Sequence, residues 1–478
     1  MKALRIVAIT CVILLAALNL AGAQTWTALN HQPNISASAP LLLMDGRVLV
    51  HDGSEPDYWT LTPDINGSYQ NGTWTQVGSL PSDYAPLYFA SAVLPDSRVV
   101  VIGGEYNFGT GVWTTLGAIF NAKTNKWKKL KAPSGWRSVG DAQSVVLANG
   151  TMMVANCCTT QEALLDAENL TWTSTGTGKS DINDEEGWTL LPSGEVLTVD
   201  ANEDNTNSEI YNPATGSWSS AGSTVVQLED PASHELGPAV LRPDGTVIAT
   251  GATGHNAVYN SSTGVWTAAP DFPLNSKGQQ LDIADGPCAL LVSGNVLCMT
   301  SPAVYKFGAE FFEWNGSTWA DAPNVPNGPD DSSYYGNMLE LPTGQILFTD
   351  NSKDIELYTP EGSADPAWAP VITDVATTLK HGKESTVQGL QLNGLSQGAA
   401  YGDDYQSASN YPLVRITNNA TGHVFYCLTD NPSSMGVATG TLAVTADFTV
   451  PKTIERGASQ LAVVVNGIAS NPVSVTID

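Results

Sequence analysis

The feature that most constrains the fold is an internal repeat of about 50 residues. Each unit holds an apolar strand, a tight polar turn, a second strand rich in β-branched residues and, later, an aromatic strand that ends near a tryptophan. Asp-Gly and Asn-Gly pairs at these turns favour the positive φ angles of two-residue hairpin turns. The turns are centred on Gly46, Ser97, Gly150, Gly194, Gly245, Gly294 and Gly344.

A period near 50 residues with four strands in each unit is typical of the blades of kelch proteins. The seven turns therefore predict an all-β chain with a seven-bladed kelch-type β-propeller over residues 24–368. A strand around Trp26 is expected to complete the last blade, which would remove a free sheet edge. The repeated tryptophans are expected to pack between blades, because large aromatic side chains dominate core energetics. They are Trp74, Trp127, Trp172, Trp218, Trp266, Trp319 and Trp368.

The period ends after Trp368, and the last part of the chain has a different pattern. Residues 369–478 contain short alternating strands separated by Gly, Asn, Asp and Pro. This pattern is typical of a β-sandwich and predicts an immunoglobulin-like domain.

The first 23 residues have the features of a signal peptide. Lys2 and Arg5 precede an apolar run, and Ala21-Gly22-Ala23 forms a cleavage site of small residues. The run is shorter than the ~20 residues that a membrane-spanning helix requires. We therefore expect a secreted or otherwise extracytoplasmic protein without a membrane span.

The remaining chain is strongly acidic, with 18 basic and 47 acidic residues and a net charge of −29. Nucleic acid is excluded as a partner, because affinity for it depends on cationic groups that neutralise phosphates. The charge serves solubility or, as the alternative, cation binding. The sequence carries no signal for the oligomeric state.

Five cysteines remain after the predicted cleavage. Cys288 and Cys298 flank one hairpin turn and are candidates for a disulfide. The adjacent Cys157 and Cys158 form either a vicinal disulfide or two small buried residues. Because the count is odd, at least one thiol, with Cys427 as the candidate, stays free unless chains are cross-linked.

A propeller followed by an immunoglobulin-like domain of the E-set type resembles the galactose oxidase and glyoxal oxidase family over most of the chain. The resemblance implies a copper ion held by two tyrosines and two histidines, with one tyrosine cross-linked to a cysteine. Tyr88 matches the cross-linked tyrosine, but Ala37 stands at the position of the cysteine. Tyr334-Tyr335 matches the family's Tyr-His pair, so the histidine is replaced. Residues 397–405, which match the loop that carries the other histidine, contain none.

These replacements predict that copper and copper-radical oxidase activity are absent, because copper favours imidazole ligands. The same position, nine residues before each turn, instead carries Asp141, Glu185 and Asp285. Clustered carboxylates suit hard cations such as calcium. The alternative interpretation is a solvated polar rim around an open channel.

The leading functional hypothesis is a non-catalytic protein that binds an extracellular glycan or another protein through its loop face. An enzyme is the alternative, either a copper oxidase with a different ligand set or a divalent-cation-dependent enzyme that uses the acidic channel mouth. A structural component of a surface or matrix is the third hypothesis, because folds of this kind serve many functions.

Overall fold

The computed structural model describes residues 24–202 and 205–478, so the predicted signal peptide lies outside the described residues. Within these ranges the chain consists of strands, loops and three short 3-10 turns, at Gly328–Asp330, Ser333–Tyr335 and Pro366–Trp368. The prediction of an all-β chain is confirmed. No helix in the described part of the chain is long and apolar enough to cross a membrane.

The larger part of the repeat region contains 24 strands. In chain order they are β1 Thr25–Ala28, β2 Ala37–Leu42, β3 Val48–Asp52, β4 Tyr58–Thr62, β5 Thr73–Gln76, β6 Pro86–Leu87, β7 Ala90–Val93, β8 Arg98–Ile102, β9 Tyr106–Asn107, β10 Thr110–Gly111, β11 Gly117–Asn121, β12 Lys126–Lys129, β13 Ser144–Val146, β14 Met152–Asn156, β15 Gln161–Asp166, β16 Thr171–Thr175, β17 Thr189–Leu190, β18 Val196–Val199, β19 Asn207–Asn212, β20 Ser217–Ser223, β21 Leu236–Leu241, β22 Thr246–Gly251, β23 Asn256–Asn260 and β24 Val265–Ala269.

The rest of the chain adds 17 strands. They are β25 Cys288–Leu290, β26 Val296–Thr300, β27 Glu310–Trp314, β28 Trp319–Ala322, β29 Asn337–Glu340, β30 Ile346–Thr349, β31 Glu356–Thr359, β32 Val371–Val375, β33 Thr378–Leu379, β34 Glu384–Leu390, β35 Ala399–Ala400, β36 Leu413–Asn418, β37 Val424–Asp430, β38 Ala443–Thr449, β39 Gly457–Val465, β40 Ile468–Ala469 and β41 Val473–Ile477.

Seven small sheets of the described chain share one antiparallel pattern, in which strands follow each other in chain order. The first six hold β2–β5, β7-β8-β11-β12, β13–β16, β17–β20, β21–β24 and β25–β28. The seventh joins β29–β31 to β1, so the strand with Trp26 pairs with β31 from the other end of the repeat region. A separate three-stranded sheet of β6, β9 and β10 stands beside the second sheet. We number the seven sheets in this order.

The turns between the first two strands of these sheets differ from the two-residue form expected from the sequence. In the first sheet, the Leu43 N–H donates to the Arg47 carbonyl and the Gly46 N–H donates to the Leu43 carbonyl. Three residues therefore form the loop, and only the last of them, Gly46, has a positive φ, of 78°. This is a type I turn followed by a left-handed residue. The other six turn residues also have φ between 67° and 85°.

Each of the seven sheets carries a tryptophan on its outermost strand. In the fifth sheet, Trp266 pairs with Tyr259 across β23 and β24, and in the seventh, Trp26 pairs with Tyr358. The expectation for Trp368 was wrong, since this residue lies in a 3-10 turn and Trp26 takes the place in the seventh sheet. The reason is that the last repeat obtains its outer strand from the start of the chain.

The C-terminal strands, without β35, form a nine-stranded sheet. The long strand β37 pairs with β36 through its first half and with β38 through its second half. Side chains from the strands on both sides of β37 meet in one core, which includes Val414, Cys427 and Phe448. Strand β35 leaves this region and pairs with β25 of the sixth sheet.

The described cysteines follow two patterns. Cys288 and Cys298 are directly opposite each other on β25 and β26 and form a disulfide. Cys157, Cys158 and Cys427 are free thiols. The two adjacent thiols lie 3.3 and 3.2 Å from Oδ1 of Asp184, to which both donate.

Candidate functional site

A loop from the C-terminal region, residues 401–411, runs through the interior beside the seven sheets, and we call it the inserted loop. Its tyrosines hold it in place. The Tyr401 hydroxyl donates to the carbonyl of Tyr334 at 2.8 Å, and the Tyr405 hydroxyl accepts from the N–H of Tyr88 at 2.9 Å. The Tyr411 hydroxyl donates to the carbonyl of Leu42. The loop therefore contacts the first, second and seventh sheets or the segments that lead into them.

Two glycines make room for the inserted loop. A Cβ atom on Gly187 would lie 2.4 Å from the carbonyl oxygen of Gly402. A Cβ atom on Gly402 would lie 2.3 Å from Oδ1 of Asp285. Both distances are far shorter than van der Waals contact, so this close approach requires the absence of side chains at the two positions.

Next to the inserted loop lies an open cavity of about 510 Å³, which we call the mouth cavity. Its wall combines aromatic and acidic side chains from the segments that lead into six of the seven sheets and from two further segments. The lining residues are Leu87, Tyr88, Glu105, Tyr106, Asp141, Glu185, Glu235, Asp285, Tyr305, Tyr334 and Tyr335.

The structure brings most of the site residues named from the sequence into this wall. Tyr88, Tyr334 and Tyr335 line the cavity together with all three carboxylates of the repeat position. Ala37 does not reach it, because Ala37 is the buried first residue of β2. Leu236 of the same repeat position is buried too, and its neighbour Glu235 lines the cavity in its place.

Three of the residues at the repeat position share an unusual backbone conformation. The φ angles of Tyr88, Glu185 and Asp285 are 51°, 59° and 54°. L-residues adopt this left-handed region rarely, and strain of this kind concentrates at functional sites. Each of the three residues precedes the first strand of its sheet, and its side chain lines the cavity.

The acidic wall is crowded enough to oppose its own ionisation. Burial, together with the nearby Glu235 and Asp403, raises the pKa of Asp285. Burial raises the pKa of Glu185, and Asp403 adds to this effect. For Asp141 the causes of the raised pKa are burial and then Asp403 and Asp404 of the inserted loop. Burial and Glu235 raise the pKa of Asp403 to about 8.

The aromatic wall continues onto the surface. Tyr334 and Tyr335 have ring centroids 4.4 Å apart, and Phe307 stacks on Tyr335 at 6.0 Å. The side chain of Phe307 is 56 % exposed. Two more large apolar residues, Phe108 and Trp113, are about half exposed and belong to the segment around the β9–β10 hairpin. Exposed aromatic side chains beside a cavity are typical of interaction sites.

The side chains of the cavity do not fit the copper centre that the family resemblance implies. Tyr88 and Tyr334 share the cavity, but no imidazole or thiol is among the side chains that line it in the described chain. Burial raises the pKa of both tyrosines, which disfavours the phenolate form that would bind a metal. The donor set is carboxylate oxygen, which suits hard cations.

This chain is similar to several solved structures. A fungal alcohol oxidase of the AA5 family, solved in complex with copper, is 13% identical with a TM-score of 0.51, and the match covers 96% of this chain and 100% of that one. Virginiamycin B lyase from Staphylococcus aureus is 10% identical with a TM-score of 0.49, covering 70% and 99%. The extracellular domain of a hybrid two component system from B. thetaiotaomicron is 10% identical with a TM-score of 0.49, covering 96% and 59%.

No protein-family model matches the sequence. No curated protein matches it either. At these identities the similarity to the AA5 oxidase shows the fold alone, and it agrees with an all-β chain built of many small sheets, as in β-propellers.

Sequence reasoning missed part of the wall. Glu105 and Tyr106 come from the segment of the β9–β10 hairpin, and Tyr305 comes from the loop between β26 and β27. Asp403 and Asp404 belong to the inserted loop and lie beside Asp141 of the wall. The family resemblance had placed residues 397–405 near the site, but it did not name these two aspartates. A signal was present for these two, since the adjacent aspartates lie between Tyr401 and Tyr405 in a segment otherwise low in charge.

Proposed function

We propose that this protein is a secreted, non-catalytic binding protein that holds an extracellular glycan in the mouth cavity. The seven small sheets are, in this proposal, the blades of a kelch-type propeller, and residues 369–478 form an immunoglobulin-like E-set domain. The support for the architecture is the repeated sheet pattern, its closure by β1, and the single core of the C-terminal strands.

The observation that carries the functional proposal is the combination of aromatic and acidic side chains in one open cavity. Five tyrosines and five carboxylates line it. Aromatic faces pack against the C–H faces of sugar rings, and carboxylate oxygens accept hydrogen bonds from hydroxyl groups. A polyhydroxylated ligand can satisfy both kinds of surface at once.

The dimensions and the rim support a glycan of several sugar units. The volume of about 510 Å³ is within the range of small-molecule sites. The exposed ring of Phe307 extends the stack that begins at Tyr334 and Tyr335. Additional sugar units would pack on this continuous aromatic surface.

A glycan array with the full exported chain tests the proposal. We expect the array to select at least one glycan, and we expect Tyr335→Ala to weaken its binding at least about tenfold, a loss of about 1.4 kcal/mol of binding free energy. Trp136→Ala is the matched control, because Trp136 lines a separate cavity beside Glu162 and Lys179. If binding is lost in the Trp136 variant and kept in the Tyr335 variant, the mouth cavity is not the site.

A further inference from the structure

Two sets of three carboxylates lie in or directly beside the wall of the mouth cavity. Glu185, Glu235 and Asp285, which we call the sheet trio, lead into the fourth, fifth and sixth sheets. Asp141, Asp403 and Asp404, the loop trio, combine the segment before the third sheet with the inserted loop. In each trio, one carboxylate oxygen of every residue lies within 4.8 Å of those of the other two.

Some oxygen atoms in both trios lack the hydrogen bonds that buried carboxylates require. Asp403 is 2 % exposed and Glu235 is 4 % exposed. Oδ2 of Asp403 and Oε2 of Glu235 are buried and accept no hydrogen bond from the described residues. The same holds for Oδ1 of Asp141 and Oδ1 of Asp285. A buried carboxylate oxygen without a donor is costly, so these atoms indicate a missing positive partner.

Other buried acids in the chain show how the protein satisfies a carboxylate when it has donors. Glu186 accepts from Lys179 at 2.8 Å, and both side chains are fully buried. Oε2 of Glu340 accepts from Asn466 at 3.0 Å and from Ser409 at 3.3 Å, whereas its Oε1 has no donor among the described residues. The mouth cavity has no lysine or arginine among its lining residues in the described chain. Three groups of three clustered carboxylates exist in the described chain, and in the third, Asp181, Glu186 and Asp200, Lys179 supplies a cation to Glu186. The two trios at the mouth cavity differ from it by having no lysine or arginine of the described residues in an ion pair with any member.

We propose that the two trios bind two calcium ions, one in each trio. Calcium binds six to eight oxygen ligands at about 2.3–2.6 Å, so oxygens up to about twice that distance apart can share one ion. Magnesium is the poorer fit, because it retains several waters and is seldom held by an all-protein carboxylate cage. Each trio supplies three oxygens, and water or ligand hydroxyls complete the coordination.

The position of the loop trio gives its ion a structural role as well. Asp403 and Asp404 belong to the C-terminal region, whereas Asp141 precedes the third sheet. An ion in the loop trio therefore joins the inserted loop to the repeat region. The ion in the sheet trio faces the mouth cavity, where the hydroxyl groups of a ligand can reach it.

Terbium is a suitable probe, because it replaces calcium at oxygen sites and its luminescence is sensitised by nearby tyrosines. Tyr305 donates a hydrogen bond to Glu235, and Tyr401 and Tyr405 flank the two aspartates of the inserted loop. After treatment with a chelator, the full exported chain is titrated with terbium and, separately, dialysed against calcium for metal analysis. No glycan is present, so the result does not depend on the proposed function.

The expected result is two ions per chain for the wild type, one ion for Glu235→Gln and one ion for Asp403→Asn. Glu340→Gln is the matched control, because Glu340 is an equally buried acid that belongs to neither trio, and it is expected to keep both ions. A wild type that binds fewer than two ions overturns the proposal, whether or not the variants fold. The proposal is also overturned if the Glu340→Gln variant loses as much terbium luminescence as the Glu235→Gln and Asp403→Asn variants. Calcium binding without any glycan on the array would leave this inference standing and refute the proposed function alone.

Discussion

The N–H of Tyr88 donates a hydrogen bond of 2.9 Å to the hydroxyl of Tyr405, a residue 317 positions later in the chain. The two rings lie 5.7 Å apart, and Tyr405 also packs edge-on against Phe89. Through this pair the C-terminal region supports Tyr88, which lines the mouth cavity. The site therefore depends on both parts of the chain, although the inserted loop lies outside the repeat region in the sequence.

The close approach at Gly187 gives the first prediction. Gly187→Ala places a Cβ atom 2.4 Å from the carbonyl of Gly402, so the inserted loop must move. We expect a loss of about 1–3 kcal/mol in unfolding free energy, typical of overpacking. Urea unfolding measures it. Gly111→Ala is the control, since its nearest contact would be 3.6 Å away, and equal destabilisation of the two variants would refute the close approach.

The second prediction concerns the buried ion pairs of Lys179. Its ammonium group donates to Glu186 at 2.8 Å and to Glu209 at 2.7 Å, and it lies 5.2 Å from the ring centroid of Trp218. Lys179→Met removes the cation and leaves two buried carboxylates without it. The expected cost is about 3–5 kcal/mol of unfolding free energy.

Chemical denaturation of Lys179→Met and of Lys129→Met makes the comparison for this prediction. Lys129 pairs with Asp83 on the surface, where ion pairs contribute about 0–1 kcal/mol. If both variants lose the same small amount, Lys179 is not the buried counter-ion that the structure shows.

The third prediction is a pH dependence from His51. This imidazole is fully buried between Tyr58 and Phe89, and burial lowers its pKa from 6.5 to about 4. The unfolded chain therefore takes up the proton first as the pH falls below about 6.5. The contribution of His51 to stability is complete above pH 6.5 and declines by about 3 kcal/mol as the pH falls to 4.

Buried carboxylates with raised pKa values have the opposite effect, because they increase the unfolding free energy as the pH falls. Comparing wild type with His51→Gln at neutral and acidic pH separates the contribution of His51 from theirs. We expect the difference in unfolding free energy between the two proteins to shrink at acidic pH. A difference that does not change with pH would show that His51 is not held neutral.

The sequence predicted the fold better than the site, for a physical reason. A hairpin turn needs a left-handed residue, so each repeat leaves a visible mark such as Gly46, which has a φ of 78°. The position nine residues before each turn identified Tyr88, Asp141, Glu185 and Asp285 as a group, and all four line one cavity. It missed Glu235, because in the fifth sheet the strand begins at Leu236, with a bulge before Ala239 that moves the facing residue by one.

The inserted loop could not be predicted in this way. Its place depends on contacts across the chain, such as Tyr401 with Tyr334, and no local pattern encodes them. The same applies to Trp368, whose spacing fits the repeat although Trp26 takes the position. The tryptophan before the first turn did predict that β1 completes the last unit, and β1 pairs with β31. Spacing alone did not reveal that Trp368 lies outside that sheet.

The fourth prediction separates this protein from the oxidases that it resembles. Copper-loaded protein is expected to give no peroxide above background with galactose or simple aldehydes, because Ala37 cannot form the thioether and the cavity wall offers no imidazole. The assay is aerobic peroxide production, with Tyr88→Phe as the control. Turnover that disappears in the Tyr88→Phe variant would restore the oxidase.

The most direct measurement is calorimetric titration of the array-selected glycan into the wild type and into Tyr335→Ala, with Trp136→Ala as the control. The account predicts saturable binding with one site per chain, weakened at least about tenfold by Tyr335→Ala and unchanged by Trp136→Ala. Equal affinity of the Tyr335 variant and the wild type would contradict the assignment of the mouth cavity as the glycan site.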